Sequence, residues 1–492
     1  MALFWILVLI PCINSAISKA LEPTPDLRSD KIWELLEQTY GRGDVSSQEK
    51  PTSSAGSPLF LTPYIEAKKL KEARDASRVN STDLLLDIES YAGYLTVNKK
   101  YNGNLWFWYF PAPGKKVKDT PWIIWLQGGP GATSLYGLFA EIGPFSVTAN
   151  NTLEERKYSW GKNHSLLFID NPVGTGFSFA DDRRAYATNQ TTVGENLYDA
   201  LQQFLTIFPE LRKAPLTIAG ESYAGKYIPS IGIQIYLHKR DGEPINLQGL
   251  AIGNGWIDPI TMQRYSYFVR EIGMVDDKVA DQMKKLEAEI VSSIESKEMA
   301  DAVSIYGSML NLYATNSNVT SLYNILQDSR KGFDKTWIDF IEQDKVRNAL
   351  HVGNSTFKMS AGDVYYRLLD DFMDSVKISL EVLLDHYKVL LYNGHLDFIV
   401  AYHPSVNTYN SLSFSGASEF KKGKRLSWFH DGNLAGYYRV AGNLTEVMVR
   451  GAGHMVPIDK PAAALGLISA FIRGVTLDKD TANLAGQEKM LT

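Results

Sequence analysis

The stretch that most constrains this chain is Gly220–Gly225, with the sequence GESYAG, which lies between two segments of different character. The apolar run at 215–219 before it is typical of a buried strand, and the residues from Lys226 onward follow a helical pattern. A serine between a strand and a helix, flanked by small residues, is typical of a tight turn that exposes the hydroxyl as a nucleophile. Ala224 stands where a second glycine is usual, so an ordinary strand-to-helix turn is the alternative interpretation of Ser222.

Short apolar runs alternate with helix-like segments along most of the 492 residues. This alternation predicts an α/β fold, with a mostly parallel central sheet and helices on both faces. Charged helix-like segments replace the strands between about residues 259 and 385, which indicates an insertion over the sheet. The predicted boundaries are a signal peptide at 1–20, an N-terminal arm and short helix at 21–84, the core at 85–258, a helical cap insertion at 259–385, the second part of the core at 386–475, and a C-terminal tail at 476–492.

A serine nucleophile requires a base, and the base requires an acid that orients it. In folds of this type the three follow one another in the chain order Ser, Asp or Glu, His. Asp397 follows a predicted strand at 388–392, and His454 follows the next predicted strand in a glycine-rich loop. These positions predict a triad of Ser222, Asp397 and His454. A structural histidine is the alternative for His454, and the other candidate bases are His395, His403 and His430.

A second glycine-rich loop, Gly128–Gly131, follows the apolar run at 122–126. Its backbone N–H at Gly129 can lie next to that of Tyr223, the residue after the serine. Two such donors are what an oxyanion hole requires. We therefore predict an oxyanion hole at Gly129 and Tyr223, with a plain turn as the alternative for the glycine loop.

Charge and composition limit the partners. The net charge is −5, and the absence of a basic stripe argues against nucleic acid as a partner.

An apolar run at 4–11, followed by small residues, is typical of a secretory signal, and no later stretch is long and apolar enough for a membrane anchor. The only cysteine, Cys12, lies in that leader, so no disulfide is expected, which by itself favours the cytosol. Seven N-x-S/T sites favour the secretory route instead. The predicted glycosylation sites are Asn80, Asn150, Asn163, Asn189, Asn318, Asn354 and Asn443.

Four blocks together resemble the signature blocks of the serine carboxypeptidases, which are α/β-hydrolases that remove C-terminal residues from peptides. The blocks are Trp125–Gly131, Gly220–Tyr227, the Asp397 loop and Gly453–Pro457, and the segments 170–178 and 251–255 also match. The resemblance covers about residues 85–474 and is greatest to the vitellogenic-like subgroup, which includes insect venom serine carboxypeptidases. It implies an α/β-hydrolase fold with a cap, no cofactor and no metal.

The resemblance further implies how the substrate is held. It implies a clamp for the terminal carboxylate of the peptide, formed by Trp125, Gln127, Glu141 and Glu221. It also implies an S1′ pocket lined by Tyr136, Ala140 and Met455. The chain departs from the family pattern at Gln127, where Asn is more usual, at Ala132-Thr133, at His395, and in its lack of several disulfides.

The clamp also has a physical basis in the residues themselves. Two ionised acids would repel a carboxylate, whereas protonated acids can donate hydrogen bonds to it. A surface position for Glu221 and a helix-end position for Glu141 are the alternatives.

The residues and the resemblance together predict a secreted or lysosomal serine carboxypeptidase that works through an acyl-enzyme with an acidic pH optimum. It acts on peptides or proteins with a free C-terminus, as a monomer or homodimer. An acyltransferase on the same scaffold and a non-catalytic secreted binding protein are the alternative functions.

Overall fold

The computed structural model describes residues 53–79, 86–240, 243–327 and 336–486. The predicted signal peptide with Cys12, the first part of the N-terminal arm, and the sequon at Asn80 lie outside these residues. Within the described part of the chain, no helix is both long and apolar enough to cross a membrane.

A ten-stranded sheet forms the centre of the molecule, and a separate two-stranded ribbon lies outside it. The strands of the large sheet are β1 (Tyr91–Asn98), β2 (Gly103–Phe110), β3 (Trp122–Leu126), β6 (Ser165–Ile169), β7 (Leu216–Glu221), β8 (Leu247–Gly253), β9 (Lys388–Gly394), β10 (Leu426–His430), β11 (Asn433–Ala441) and β12 (Leu444–Val449), and those of the ribbon are β4 (Phe145–Val147) and β5 (Leu153–Glu155). The spatial order in the sheet is β1-β2-β6-β3-β7-β8-β9-β12-β11-β10.

The six central strands, from β6 to β12 in that order, are parallel, and antiparallel strands flank them on both sides. The central strands are almost wholly buried, as their continuous apolar sequences require when both faces are covered. The prediction of a mostly parallel sheet with helices on both faces is confirmed. Because parallel strands end at the same edge, the loops after β3, β7, β8, β9 and β12 meet there.

Helices cover the sheet and form most of the described part of the segment between the adjacent strands β8 and β9, which is called the insertion below. Outside the insertion they are Thr62–Glu66, Leu70–Ser77, Gln190–Ile207, Ala224–Leu237, Tyr402–Ser411, Ala417–Lys422, Val456–Asp459, Pro461–Arg473 and Ala482–Gly486. Between residues 259 and 385 they are Tyr265–Glu271, Asp277–Glu295, Met299–Ser317, Thr336–Ile341, Asp344–Ala349, Gly362–Arg367, Leu369–Phe372 and Lys377–Leu384. A short π-helical turn at Gly137–Ile142 follows the glycine-rich loop after β3.

The one short helix predicted within the N-terminal segment 21–84 corresponds to two helices, Thr62–Glu66 and Leu70–Ser77. The break lies at Ala67–Lys69, where Lys68 adopts a left-handed conformation with φ 57°. An L-residue in that region cannot continue a right-handed helix. Both helices contact strand β1, so the break lets the segment follow the sheet edge.

Candidate active site

Ser222 lies at the carboxyl end of β7 in a strained turn. Its φ of 62° is in the left-handed region, which costs an L-residue roughly 1–2 kcal/mol. The turn is held by a hydrogen bond from the Ser222 N–H to the carbonyl of Gly253 at 3.0 Å. The carbonyl of Ser222 accepts from the N–H groups of Gly225 at 2.9 Å and Trp256 at 3.0 Å. Gly225 has to be glycine, because a Cβ there would lie 2.7 Å from the Trp256 nitrogen.

Asp397 and His454 meet at the end of the neighbouring strands, β9 and β12. His454 Nδ1 lies 2.7 Å from Asp397 Oδ2, and both side chains are fully buried. Since a carboxylate only accepts hydrogen bonds, this contact places the imidazole proton on Nδ1. Among the described residues, no group accepts from or donates to His454 Nε2. That nitrogen therefore keeps its lone pair free to accept a proton.

Asn254 is a functional candidate whose role the sequence did not reveal. Its side-chain N–H donates to Asp397 Oδ2 at 2.6 Å, and its side-chain oxygen accepts from the Gly394 N–H at 3.1 Å. The residue has φ 42° and follows β8 directly. Asn254 thus fixes both the acid and the start of the loop that carries it. Its only sequence signal was membership of the matching segment at 251–255.

The insertion contacts the loops that carry Asp397 and His454. The His454 N–H donates to the carbonyl of Tyr323 at 2.6 Å, and the Phe398 N–H donates to that of Leu322 at 3.0 Å. The Tyr323 ring also packs edge-on against the imidazole, with centroids 5.0 Å apart. A short piece of the insertion therefore holds two loops that are far apart in the chain.

The glycine-rich loop after β3 lies directly against the Ser222 turn. A Cβ on Gly128 would lie 2.5 Å from the Tyr223 nitrogen and 2.7 Å from Ser222 Cβ, so only glycine fits there. The next residue, Gly129, has φ 111°, a conformation that favours glycine. The structure thus brings together the two segments that carry the predicted oxyanion donors, Gly129 and Tyr223.

Asp170, at the end of β6, fixes the following part of that loop. Its Oδ1 accepts from the Thr133 hydroxyl at 2.5 Å and from the Ser134 N–H at 3.0 Å, and its Oδ2 accepts from the Phe177 N–H at 2.8 Å. Burial raises the pKa of Asp170 to about 7, against the opposing effect of these hydrogen bonds. Thr133, one of the departures from the family pattern, is therefore a partner of Asp170.

The four predicted clamp residues form one buried cluster beside the serine. Trp125 Nε1 donates to Gln127 Oε1 at 2.9 Å, and Gln127 Nε2 donates to Glu221 Oε1 at 2.8 Å. Glu141 is 2% exposed, and Glu221 is fully buried. Neither the surface position for Glu221 nor a solvated helix-end position for Glu141 applies. The amide of Gln127, despite its extra methylene, bridges the indole and one carboxyl group.

Burial raises the pKa of both acids of the cluster, which favours their protonated forms. It raises the pKa of Glu141 to about 8, even though neighbouring Glu221 and the positive charge of Arg156 act in the opposite direction. Burial, followed by the charge of Glu141, raises the pKa of Glu221 well above its usual range. Among the described residues, Glu141 Oε1, Glu141 Oε2 and Glu221 Oε2 are buried without hydrogen-bond partners. An unsatisfied buried polar group costs about 1–3 kcal/mol, so several at one point indicate a place for a polar ligand.

The turn that carries Glu141 is held by Arg156, another residue that the sequence patterns did not indicate. The guanidinium donates to the carbonyls of Gly143 at 3.1 Å and Phe145 at 3.2 Å, and also to Phe139. These are carbonyls of the π-helical turn and the residues just after it. Arg156 therefore secures the position of the Glu141 carboxyl from the outside.

The predicted S1′ residues lie within or directly before two short helical elements that contact each other. Tyr136 directly precedes the turn Gly137–Ile142, and Ala140 lies within it. Met455 directly precedes the helix Val456–Asp459, which packs against that turn. Tyr136 and Met455 are buried, and Ala140 is partly exposed.

A buried ion pair ties the insertion to the nucleophile turn. Asp371 Oδ2 accepts from Lys226 Nζ at 2.9 Å and from the Tyr223 hydroxyl at 2.6 Å. It also accepts from the side chain of Gln190 at 2.7 Å, and the Lys226 and Asp371 side chains are at most 4% exposed. Removing one partner of such a pair leaves a buried charge uncompensated. Asp371 thus anchors the residue next to Ser222, which no spacing in the sequence could show.

The other candidate histidines make different contacts. His403 stacks on Tyr267 with centroids 5.0 Å apart, and His430 Nδ1 lies 3.0 Å from the Thr481 hydroxyl. Burial lowers the pKa of His395, and the charges of nearby arginines lower it further. Of the four candidates, His454 is the one whose ring contacts Asp397.

The family of the chain is shown by its sequence. Residues 80–474 match the model of the Peptidase S10 family, described as serine carboxypeptidase. The chain belongs to the serine carboxypeptidase family. It is on that ground a serine-type carboxypeptidase hydrolase with peptides as its class of substrate, as the sequence resemblance implied.

Relatives match along most of their length. The venom serine carboxypeptidase of Apis mellifera is 42% identical over 450 residues, which cover 88% of this chain and 96% of that protein. The probable serine carboxypeptidase CPVL of Homo sapiens is 42% identical, with 86% of this chain and 91% of that protein covered. Among solved structures, the prohormone-processing carboxypeptidase Kex1Δp of Saccharomyces cerevisiae has a TM-score of 0.72 and 26% identity, and it covers 83% of this chain and 98% of that one.

Proposed function

We propose that this enzyme hydrolyses the C-terminal peptide bond of peptides through an acyl-enzyme on Ser222, with His454 as the base and Asp397 as the orienting acid. The observation that carries the proposal is the 2.7 Å contact between His454 Nδ1 and Asp397 Oδ2, at the edge of the sheet where the strand that carries Ser222 also ends. This contact orients the ring and stabilises the imidazolium that forms when Nε2 takes a proton.

The first half of the reaction forms the acyl-enzyme. Ser222 Oγ attacks the carbonyl carbon of the last peptide bond while its proton passes to His454 Nε2. The N–H groups of Gly129 and Tyr223 stabilise the negative oxygen of the tetrahedral intermediate. The C–N bond then breaks, and the proton on Nε2 passes to the departing amino group of the C-terminal residue. In the second half, water gives a proton to His454 Nε2 and attacks the ester carbonyl carbon. The bond to Ser222 Oγ then breaks, the proton passes from Nε2 to Oγ, and the shortened peptide leaves.

The buried acids restrict this chemistry to the end of a chain. The carboxyls of Glu141 and Glu221 adjoin the Ser222 turn, and the raised pKa values of both keep them protonated as hydrogen-bond donors. A third carboxylate, that of the substrate, can join them because protons are then shared among the groups. The internal residues of a peptide offer no carboxylate at that position. An exopeptidase that binds its substrate most tightly below about pH 8, where Glu141 is protonated, follows from this arrangement.

We expect purified enzyme to shorten a peptide with a free C-terminus one residue at a time, and to leave internal bonds intact. Product masses over time, measured at acidic pH, test this directly. A parallel reaction with an added alcohol or amine measures transfer of the acyl group. Internal cleavage would refute the exopeptidase proposal, and transfer products in place of hydrolysis would establish an acyltransferase. A chain that forms neither product would be a binding protein.

We also propose that the chain enters the secretory pathway, on the basis of its leader and its sequons. Asn150, Asn189, Asn318 and Asn354 are exposed, whereas Asn163 and Asn443 are partly buried. The enzyme isolated from its native source is expected to carry glycan on one or more of the four exposed sites. It is also expected to lack disulfides, since Cys12 is the only cysteine of the chain. Intact mass before and after deglycosylation and reduction checks both, and a protein without any glycan would contradict secretion.

A further inference from the structure

We propose that the hydroxyl of Tyr392 is a further donor in the site that holds the terminal carboxylate of the substrate. This inference rests on the proposed clamp and adds a residue to it. It is drawn from the register of three adjacent strands, from a glycine between two side chains, and from an orphaned buried hydroxyl.

Strand register brings Tyr392 to the clamp. Glu221 on β7 pairs with Gly253 on β8, and Gly253 pairs with Tyr392 on β9. Side chains alternate between the faces of a sheet, so residues in one such row lie on the same face. Gln127 follows β3, whose last residue, Leu126, pairs with the residue before Glu221. The row therefore runs from Gln127 through Glu221 and Gly253 to Tyr392.

Gly253 allows the phenol to reach across the row. A Cβ at this position would lie 2.6 Å from Tyr392 Cζ and 2.7 Å from its hydroxyl oxygen. The end of the phenol ring therefore occupies the space that a side chain on β8 would fill. With no side chain between them, Tyr392 and Glu221 approach each other from either side of Gly253.

The Tyr392 hydroxyl is buried but makes no hydrogen bond within the described part of the fold. Tyr392 is 3% exposed, and its oxygen has no hydrogen-bond partner among the described residues. The same is true of Glu221 Oε2 and both Glu141 oxygens. Burial raises the pKa of Tyr392 well above its usual range, and the charges of Glu221 and Glu141 raise it further. The phenol is therefore a permanent donor that faces acidic groups and their ligand.

The test compares Tyr392→Phe with the unchanged enzyme, using a peptide acid and the matching peptide amide. Removal of one hydrogen bond to a charged group should raise KM for the acid roughly tenfold or more. The kcat for both substrates and KM for the amide should stay within about twofold, because the amide makes no charge-assisted bond. A merely structural role would lower stability and change both substrates alike.

Two further variants sharpen the test. Gly253→Ala keeps the hydroxyl but forces the ring away, so it should also raise KM for the acid more than for the amide. Tyr109→Phe removes a buried phenol hydroxyl from β2, where Tyr109 packs on Phe204 and Phe208, and should leave both KM values unchanged.

The outcomes separate this inference from the clamp itself. If the unchanged enzyme discriminates acid from amide and Tyr392→Phe discriminates equally well, the clamp stands and the role of Tyr392 is refuted. If the unchanged enzyme binds acid and amide alike, the clamp is refuted, and the inference falls with it.

Discussion

Ser222→Ala is expected to abolish covalent labelling by a fluorophosphonate probe and to lower kcat by about 10⁴- to 10⁶-fold. His454→Ala should cause a loss of similar size, because nucleophile and base act as a unit. The strained backbone of Ser222 and the 2.7 Å contact of His454 with Asp397 are the physical reasons. Probe labelling and single-turnover kinetics on the two variants provide the measurement. Labelling that survives in Ser222→Ala would place the nucleophile elsewhere.

Asn254→Ala is the informative companion variant. It retains the serine, the histidine and the acid but removes the donor at 2.6 Å from Asp397 Oδ2. The Asp397 carboxylate should then be held less firmly in its position. We therefore expect kcat to fall roughly 10- to 100-fold, with labelling by the probe still detectable. A loss as complete as that of Ser222→Ala would mean that Asn254 is needed for folding of the loop, which a thermal unfolding curve would reveal.

For a peptide with a free C-terminus, KM should rise as pH rises through about 8, the value to which burial raises the pKa of Glu141. Below that pH the carboxyl is protonated and donates to the substrate carboxylate. Above it the group is ionised, and two negative charges repel each other in a buried site. Loss of one required proton should increase KM about tenfold for each further pH unit. A peptide amide brings no charge, so its KM should change far less over the same range.

The decisive measurement is KM against pH for a matched acid and amide, with kcat recorded separately. Glu141→Gln should make KM for the peptide acid depend less on pH, since an amide side chain does not titrate in this range. Glu221→Gln should act in the same direction, although it would alter the acceptor that Gln127 Nε2 now contacts at 2.8 Å. Parallel profiles for acid and amide in the unchanged enzyme would refute the clamp and remove the physical basis for exopeptidase specificity.

Local patterns in the sequence indicate much of the fold and of the chemistry. A serine between a buried strand and a helix predicts the turn at Ser222 from local spacing alone. The glycines on either side of it allow the close backbone contacts that the turn makes. Continuous apolar runs predict the central strands, because a strand covered on both faces has no polar face. The last residues of these runs indicate where the loops with Asp397, His454 and Gly129 meet.

The sequence is less informative where contacts are made between distant segments. Antiparallel strands β10 and β11 were not predicted, since one face of each is partly exposed and the runs are interrupted by polar residues. The break at Lys68 was also missed, because a single left-handed residue leaves no apolar pattern.

What the sequence by itself determined is which residues could do chemistry, through short spacings that a strand, a turn and a helix impose. What only the tertiary structure decided is how those residues are held. Asn254 contacts Asp397 across 143 positions of chain, and Asp371 contacts Tyr223 across 148. The burial that keeps Glu141 protonated likewise comes from segments distant in sequence. The physical reason is that hydrogen-bond partners and desolvation depend on where the chain returns in space, and no local periodicity records this.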